Sequence, residues 1–581
     1  MNALLLPSPV IIELTSDIYT PASFTIPSGA NITLAGSYDL IATGDFPVVA
    51  VNGANTAFTL DGPGLTRNSP PWGNFDRGVL VTNGAEFTMR SGEIHGHNLG
   101  LGERGGGVSI DQGSTFTMYG GKIHNNRSEN GGGVYIGQGS SFTMRGGEIH
   151  DNMVHWGSGG GVLVDGSSFT MYGGEVHSNE PGGISIIGST FTLHGGKIHN
   201  NTSTGWLGGV SISWGSAFTM HGGEIHDNFA QWSGAGVVVS ESTFTMYDGR
   251  IHSNTAANGA GGGVYAADSI FTMRGGKVYN NTASVGGGVH VEWGTFAMYD
   301  GEIYSNTVVW HGGGVYIEED GTFTMYGGEI HSNTAGGGGG GVYITERSAF
   351  TMHTGSIHSN TANETGGGVH VGHITTFTMH GGSIHNNTTN ESGGGIFIDT
   401  LSNLTISPSA IFHGNIALDG ATNYGLAQGL IDYPNIRWHS FASGNNSIIG
   451  THLLNNYDIN FHGSPITYHT VTFMDDTEIF TTQNVLDGAP TVPPANPTRP
   501  DHLFTHWSSV APNGSPWNFS TPIIGNIVLF AGWIEAPGVP DTGFAPNANS
   551  AHLSTAIPTT LATLLSLVGI ATIIKLKRKS T

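Results

Sequence analysis

FTMYGGEIHSNTAGGGGGGVYI, running from Phe323 to Ile344, decides how this chain is read, because close copies of it fill most of the sequence. The opening Phe of each copy falls at Phe87, Phe116, Phe142, Phe169, Phe191, Phe218, Phe244, Phe271, Phe296, Phe323, Phe350 and Phe377. The steps are mostly 25 to 27 residues, with one of 22 and one of 29. Weaker copies precede (Phe24 in SFTIPSG, Phe58 in AFTLDG) and follow (Leu404 in LTISPSA). A fixed period of this size marks a solenoid or an array, in which one supersecondary unit buries its apolar face against its neighbours.

Inside a copy the pattern alternates. Phe and Met of FTMY share one face, Ile of EIH lies opposite Glu and His, and Val and Ile of GVYI lie opposite Tyr. Such period-two runs, punctuated by Gly, are short strands with one buried face. Three strands per copy, each too short for a hairpin sheet, suit one turn of a parallel β-helix. The fold class is therefore all-β. Roughly 14 coils spaced about 4.8 Å apart give a rod of about 65–70 Å. With 94 Gly residues in the chain, helix is disfavoured throughout the repeats.

Ten residues after each Phe stands an Asn: Asn126, Asn152, Asn179, Asn201, Asn228, Asn254, Asn281, Asn306, Asn333, Asn360 and Asn387, with His97 in the first copy. An Asn row at a corner is expected to bond the backbone of its own turn and the amides above and below. The glycines before GVYI allow a bend at positive φ and close approach of coils.

The residues FTM-x-GG-x-I-x-x-N followed by GGGV resemble the pectin-lyase-like, right-handed β-helix repeats of bacterial surface adhesins. They are also similar to the repeats of chlamydial polymorphic membrane proteins. The resemblance covers roughly residues 20–415 and implies the fold, which hosts lyases, hydrolases and adhesins alike. Residues 1–19 form an N-terminal segment or cap. It lacks the basic start of a signal peptide, so the true start is expected upstream. Residues 416–469 are expected to cap the open end of the solenoid. Residues 470–536, with VTF, PTRPDHLFTHW, WNFSTPI and LFAGW, resemble the internalin-type B-repeat (the Listeria–Bacteroides repeat), a small β-grasp-like module whose Trp507, Trp517 and Trp533 fill its core. Residues 537–581 are similar to a cell-wall sorting signal: VPDTG (Val539, Pro540, Asp541, Thr542, Gly543), an apolar stretch over 553–574 and the basic tail 575–581. The resemblance implies cleavage by a sortase between Thr542 and Gly543 and covalent attachment to peptidoglycan, with Val539 standing where the family has Leu. An apolar run of this length is long enough to span a bilayer, and the basic tail holds its end in the cytoplasm.

Composition excludes some functions. The formal net charge of -24 argues against nucleic acid as a partner, and zero Cys rules out disulfides and thiolate metal sites. Eight residues after Phe runs a row of His95, His124, His150, His177, His199, His226, His252, His331, His358 and His385, with Tyr279 and Tyr304 filling two copies. Because Tyr substitutes freely, flat-ring stacking explains the row better than metal ligation. Neither a metal nor a cofactor is expected. Before the Ile, Glu93, Glu148, Glu175, Glu224, Glu302 and Glu329 mix with Lys122, Lys197, Lys277 and Arg250, which reads as a solvated face that fixes register.

No catalytic residues are assigned. The best non-repeating acidic cluster, Glu318, Glu319 and Asp320, has no Lys or Arg in its own coil. Trp156, Trp206, Trp232 and Trp310 fall 14 or 15 residues after their Phe, along one edge and on non-adjacent coils, and are the candidate ligand-binding residues. The expected function is a wall-anchored, non-enzymatic adhesin or display stalk, binding glycan or a partner protein. The alternative is a secreted polysaccharide lyase or glycoside hydrolase of the same fold.

Overall fold

The computed structural model describes residues 9–68, 76–100, 102–418, 457–461, 468–486, 489–510 and 514–536. The chain divides into two compact units, 1–468 and 469–581.

The first unit is a parallel β-solenoid. Three ladders, each of sixteen strands, run its length. One carries the FTM segments, one the EIH segments and one the GVYI segments. Pairing is parallel and in register, like on like: Phe323 faces Phe350, Met325 faces Met352, and Ile330 faces Ile357. The core is correspondingly repetitive, with Phe, Met, Ile and Val of every coil almost wholly buried in one continuous cluster. Successive Phe rings stack face to face, as at Phe116 and Phe142, whose centroids are 4.5 Å apart.

Sixteen rungs extend the expected fourteen or so to a ladder of about 75 Å. Strand pairing already begins at Val10–Leu14 and Ile18–Thr20, inside the expected N-terminal segment. It closes at Ile459–Phe461, which pairs with Ile396–Ile398 and belongs to the expected connector. VIIEL, IYT and INF carry strand residues without the FTM or GVYI signature, so periodicity alone does not reveal them.

A fourth strand also departs from the three-strand expectation. The two residues after every ladder Asn except Asn179 form a short ladder of their own, two strands in one stretch and nine in another. Its inner residues Ala230, Ala256, Ala283, Val308 and Ala335 join Ala235 in a second small core. The ladder breaks at the 22-residue step, where the loop is too short to supply its strand.

Glycine acts where expected. Gly131 takes φ 63, and a Cβ on Gly133 would meet the Gly161 carbonyl oxygen at 2.6 Å. The outward face of the third ladder is not open, however. The variable loops fold back over it, so Tyr135 and Tyr316 are buried although they point away from the core.

The second unit holds a mixed four-stranded sheet. Its strands are Tyr468–Asp475, Glu478–Leu486, His502–Ser508 and Ile527–Glu535, in the spatial order second, first, fourth, third. The first and fourth pair in parallel and the third and fourth antiparallel, with a register shift between Phe504 and His506. Val471, Phe473, Val485, Trp507, Ile523, Leu529 and Ala531 make its core, with Trp517 and Trp533 partly buried against it. No helix among the described residues is long and apolar enough to cross a membrane. The VPDTG motif, the apolar stretch 553–574 and the basic tail lie outside the described residues.

Candidate functional site

Four rows of outward or corner residues, and one cluster that breaks the repetition, are the places where this solenoid can act.

The Asn row is saturated and internal. Each amide oxygen accepts from the backbone N–H and the side-chain NH2 of the preceding Asn. Asn254 Oδ1, for example, is 3.1 Å from Asn228 N and 3.0 Å from Asn228 Nδ2. Asn254 Nδ2 donates in turn to Asn281 Oδ1 and to the Ile225 carbonyl, each at 3.0 Å. Two acceptor sites and two donors are thus all used. The backbone partners belong to neighbouring coils rather than the residue's own turn. Only Asn179 also reaches its own turn, at His177 O, among the described side-chain bonds. The row runs from Asn126 to Asn387, continues to Asn415 and ends on Asp458. His97 starts it, donating its backbone N–H to Asn126.

The His/Tyr row stacks as expected. It continues without interruption from His95 to His413, with centroids 4.4 Å apart at its last step. Several of its nitrogens are occupied locally: His150 and His226 reach Asp151 and Asp227 through Nδ1 at 2.7 Å, while their Nε2 atoms are buried without a hydrogen-bond partner. His124 and His199 reach the Glu of the coil before through Nε2 at 3.3 and 3.2 Å. Burial, followed by neighbouring imidazoles, lowers the pKa of His177, and burial with His413 and His358 brings His385 to about 4. The charge row beside it pairs across coils, with Arg250–Glu224 at 2.7 Å and Lys277–Glu302 at 3.0 Å.

Sequence reading missed a second aromatic row, three residues after Phe. Tyr172, His194, His221 and Tyr247 stack on one another, as do Tyr299, Tyr326, His353 and His380. Arg145 lies over Tyr119 and Tyr172, and Arg274 over Tyr247 and Tyr299, so cations splice the ring stacks into one line. The signal was present in the alternation of Tyr, His and Arg at one position, all of which present a flat π face.

The four candidate Trp residues are solvent-facing: Trp156 is 85% exposed, Trp206 56%, Trp232 47% and Trp310 58%. Trp206 and Trp232 are on adjacent coils, since Trp232 N donates to Gly205 O at 3.2 Å. This corrects the expectation that all four are separated. Trp214 and Trp293, which sequence reading did not single out, are also exposed, at the corner after the third ladder.

The cluster at Glu318, Glu319 and Asp320 is not cation-free. Arg347 of the following coil pairs with Asp320 at 2.9 Å and with Glu319 at 3.7 Å. Cross-coil approach supplies the cation that the coil's own sequence lacks.

Three overlapping segments, 66–191, 145–300 and 295–430, match the family described as the right handed beta helix region. Residues 469–532 match the Listeria-Bacteroides repeat domain. No curated protein matches the chain.

Proposed function

We propose, for a chain that belongs to the right-handed beta helix family through residues 66–430, the role of an extracellular surface protein. In this reading a non-enzymatic rod presents an adhesive edge to glycan or to a partner protein. The observation that carries it is the set of exposed indoles on the variable loops, with Trp206 and Trp232 on adjacent coils. A rigid ladder holds such rings at fixed spacing, which lowers the ordering cost of binding an extended ligand. The Listeria–Bacteroides repeat that follows is consistent with surface display. The VPDTG motif, apolar stretch and basic tail supply the attachment: processing by a sortase and linkage of Thr542 to peptidoglycan.

The test is retention of the full chain on immobilised neutral and anionic polysaccharides, with chain shortening scored in the same samples. Retention without shortening, reduced at least tenfold in a Trp206→Ala/Trp232→Ala variant, is the expected result. Cleavage of any glycan favours the lyase or hydrolase reading instead. Retention equal in both proteins removes the Trp edge from the account.

A further inference from the structure

The third ladder has one rung pair where the repetition fails electrostatically. At the last position of this strand successive coils carry Asp165, Ile187, Ser213, Ser240, Ala267, Glu292 and Glu318. Only the last two place carboxylates in register, Glu292 directly against Glu318. Like charges at such a pair repel, so a bare pair is a cost to this fold.

Beside them sits His290, two residues before Glu292 on the same face of its strand. The ring is 2% exposed and packed between Tyr265, tilted against it, and Tyr316, stacked on it, with centroids 5.2 and 5.0 Å away. Neither ring nitrogen has a hydrogen-bond partner. Nε2 lies 3.0 Å from Glu318 Oε1 but without the alignment of a hydrogen bond. The buried imidazole and the two carboxylates therefore converge on one point of the surface. The ligating atoms of His290, Glu292 and Glu318 all lie within 4.8 Å of one another.

We propose that His290, Glu292 and Glu318 form a binding site for a first-row divalent transition ion. The donor set selects the class: one imidazole with two carboxylates suits zinc, manganese or cobalt, whereas calcium and magnesium prefer oxygen alone. The 3.0 Å separation of Nε2 and Oε1 is the spacing of two neighbouring ligands about such an ion, whose bonds are about 2.0–2.2 Å. The second ring of contacts is in place. Tyr265 donates its hydroxyl to Glu292 at 2.5 Å. A hydroxyl donated to a ligating carboxylate holds that carboxylate in place. Glu318, with 23% of its side chain exposed, leaves a way in and room for water ligands.

The experiment uses the full chain, stripped with chelator and dialysed against zinc alone, with metal counted by mass spectrometry. A parallel sample takes cobalt, read by its visible absorption. Glu292→Gln and Glu318→Gln keep the shape of the side chains, and His290→Phe keeps a flat ring in the stack; circular dichroism confirms that each is folded. The expected result is one tightly held zinc per chain that excess calcium does not displace. Each variant then loses that equivalent, with affinity lowered at least tenfold and the cobalt spectrum abolished. Unchanged zinc content in the variants overturns the proposal by placing the metal elsewhere, for instance on the His row. No retained zinc, or displacement by equimolar calcium, overturns it equally.

Discussion

The solenoid and the small sheet of the second unit make their cores in opposite ways. In the solenoid, Phe stacks on Phe and Asn on Asn, so each core position is filled by translation of its neighbour. In the second unit, Phe473, Trp507, Ile523 and Leu529 meet once, with Phe473 edge-on to Trp507 at 4.9 Å. The lesson concerns how damage spreads. A repeated core has nearest-neighbour terms and tolerates a local defect, whereas a singular core fails as a whole.

The sharpest break in this comparison comes from Trp507→Ala. Removing the central ring of a seven-residue core costs about 3–5 kcal/mol. Limited proteolysis should then cut throughout 469–536 while the solenoid stays intact. Asn254→Ala follows, at about 3 kcal/mol, because it strands buried partners on both adjacent coils. Hydrogen exchange should rise near Asn228 and Asn281 and fade within a few coils. Uniform opening of the whole solenoid would contradict the nearest-neighbour picture.

Acid comes next. His177, His252, His331 and His385 have pKa values lowered in the fold, chiefly by burial, and buried His97 and His370 fall to about 3. The unfolded chain therefore binds more protons below about pH 6.5. Their contribution to stability is complete above that pH and is lost as pH falls toward 4 and then 3. Urea midpoints of the solenoid measured from pH 7 to 4 should decline accordingly. A flat profile would mean the rings carry no linkage.

The smallest effect is at the surface. Tyr172→Ala removes a contact with Arg145 and a stack on His194, worth about 1 kcal/mol.

The repeat made much of the solenoid legible. Alternation in FTM, EIH and GVYI identified the buried residues, and the ten-residue offset found the Asn row, because identical residues in register need no knowledge of the third dimension. What stayed hidden depends on neighbours from other coils. The row from Tyr119 through Arg145 to Tyr172 mixes residue types that share only a flat face. Arg347 reaches Asp320 from the next coil. A serine row, in which Ser242 N donates to Ser269 Oγ at 3.1 Å, was concealed by the variable turns around it. The pairing of Glu292 with Glu318 likewise follows from register and not from spacing within either copy.

The Asn row also has a direction. Every amide points its oxygen toward the coil before and its NH2 toward the coil after, so the small dipoles add instead of cancelling, and each bond polarises the next. The row therefore carries opposite partial charges at its two ends, as a helix does. The terminus that presents N–H is met by the carboxylate of Asp458, which accepts from Asn415 Nδ2 at 3.1 Å. Electrically, Asp458 is a stop: coils can be inserted or deleted along the row while the polarity is conserved, and here the donor end finishes on an anion.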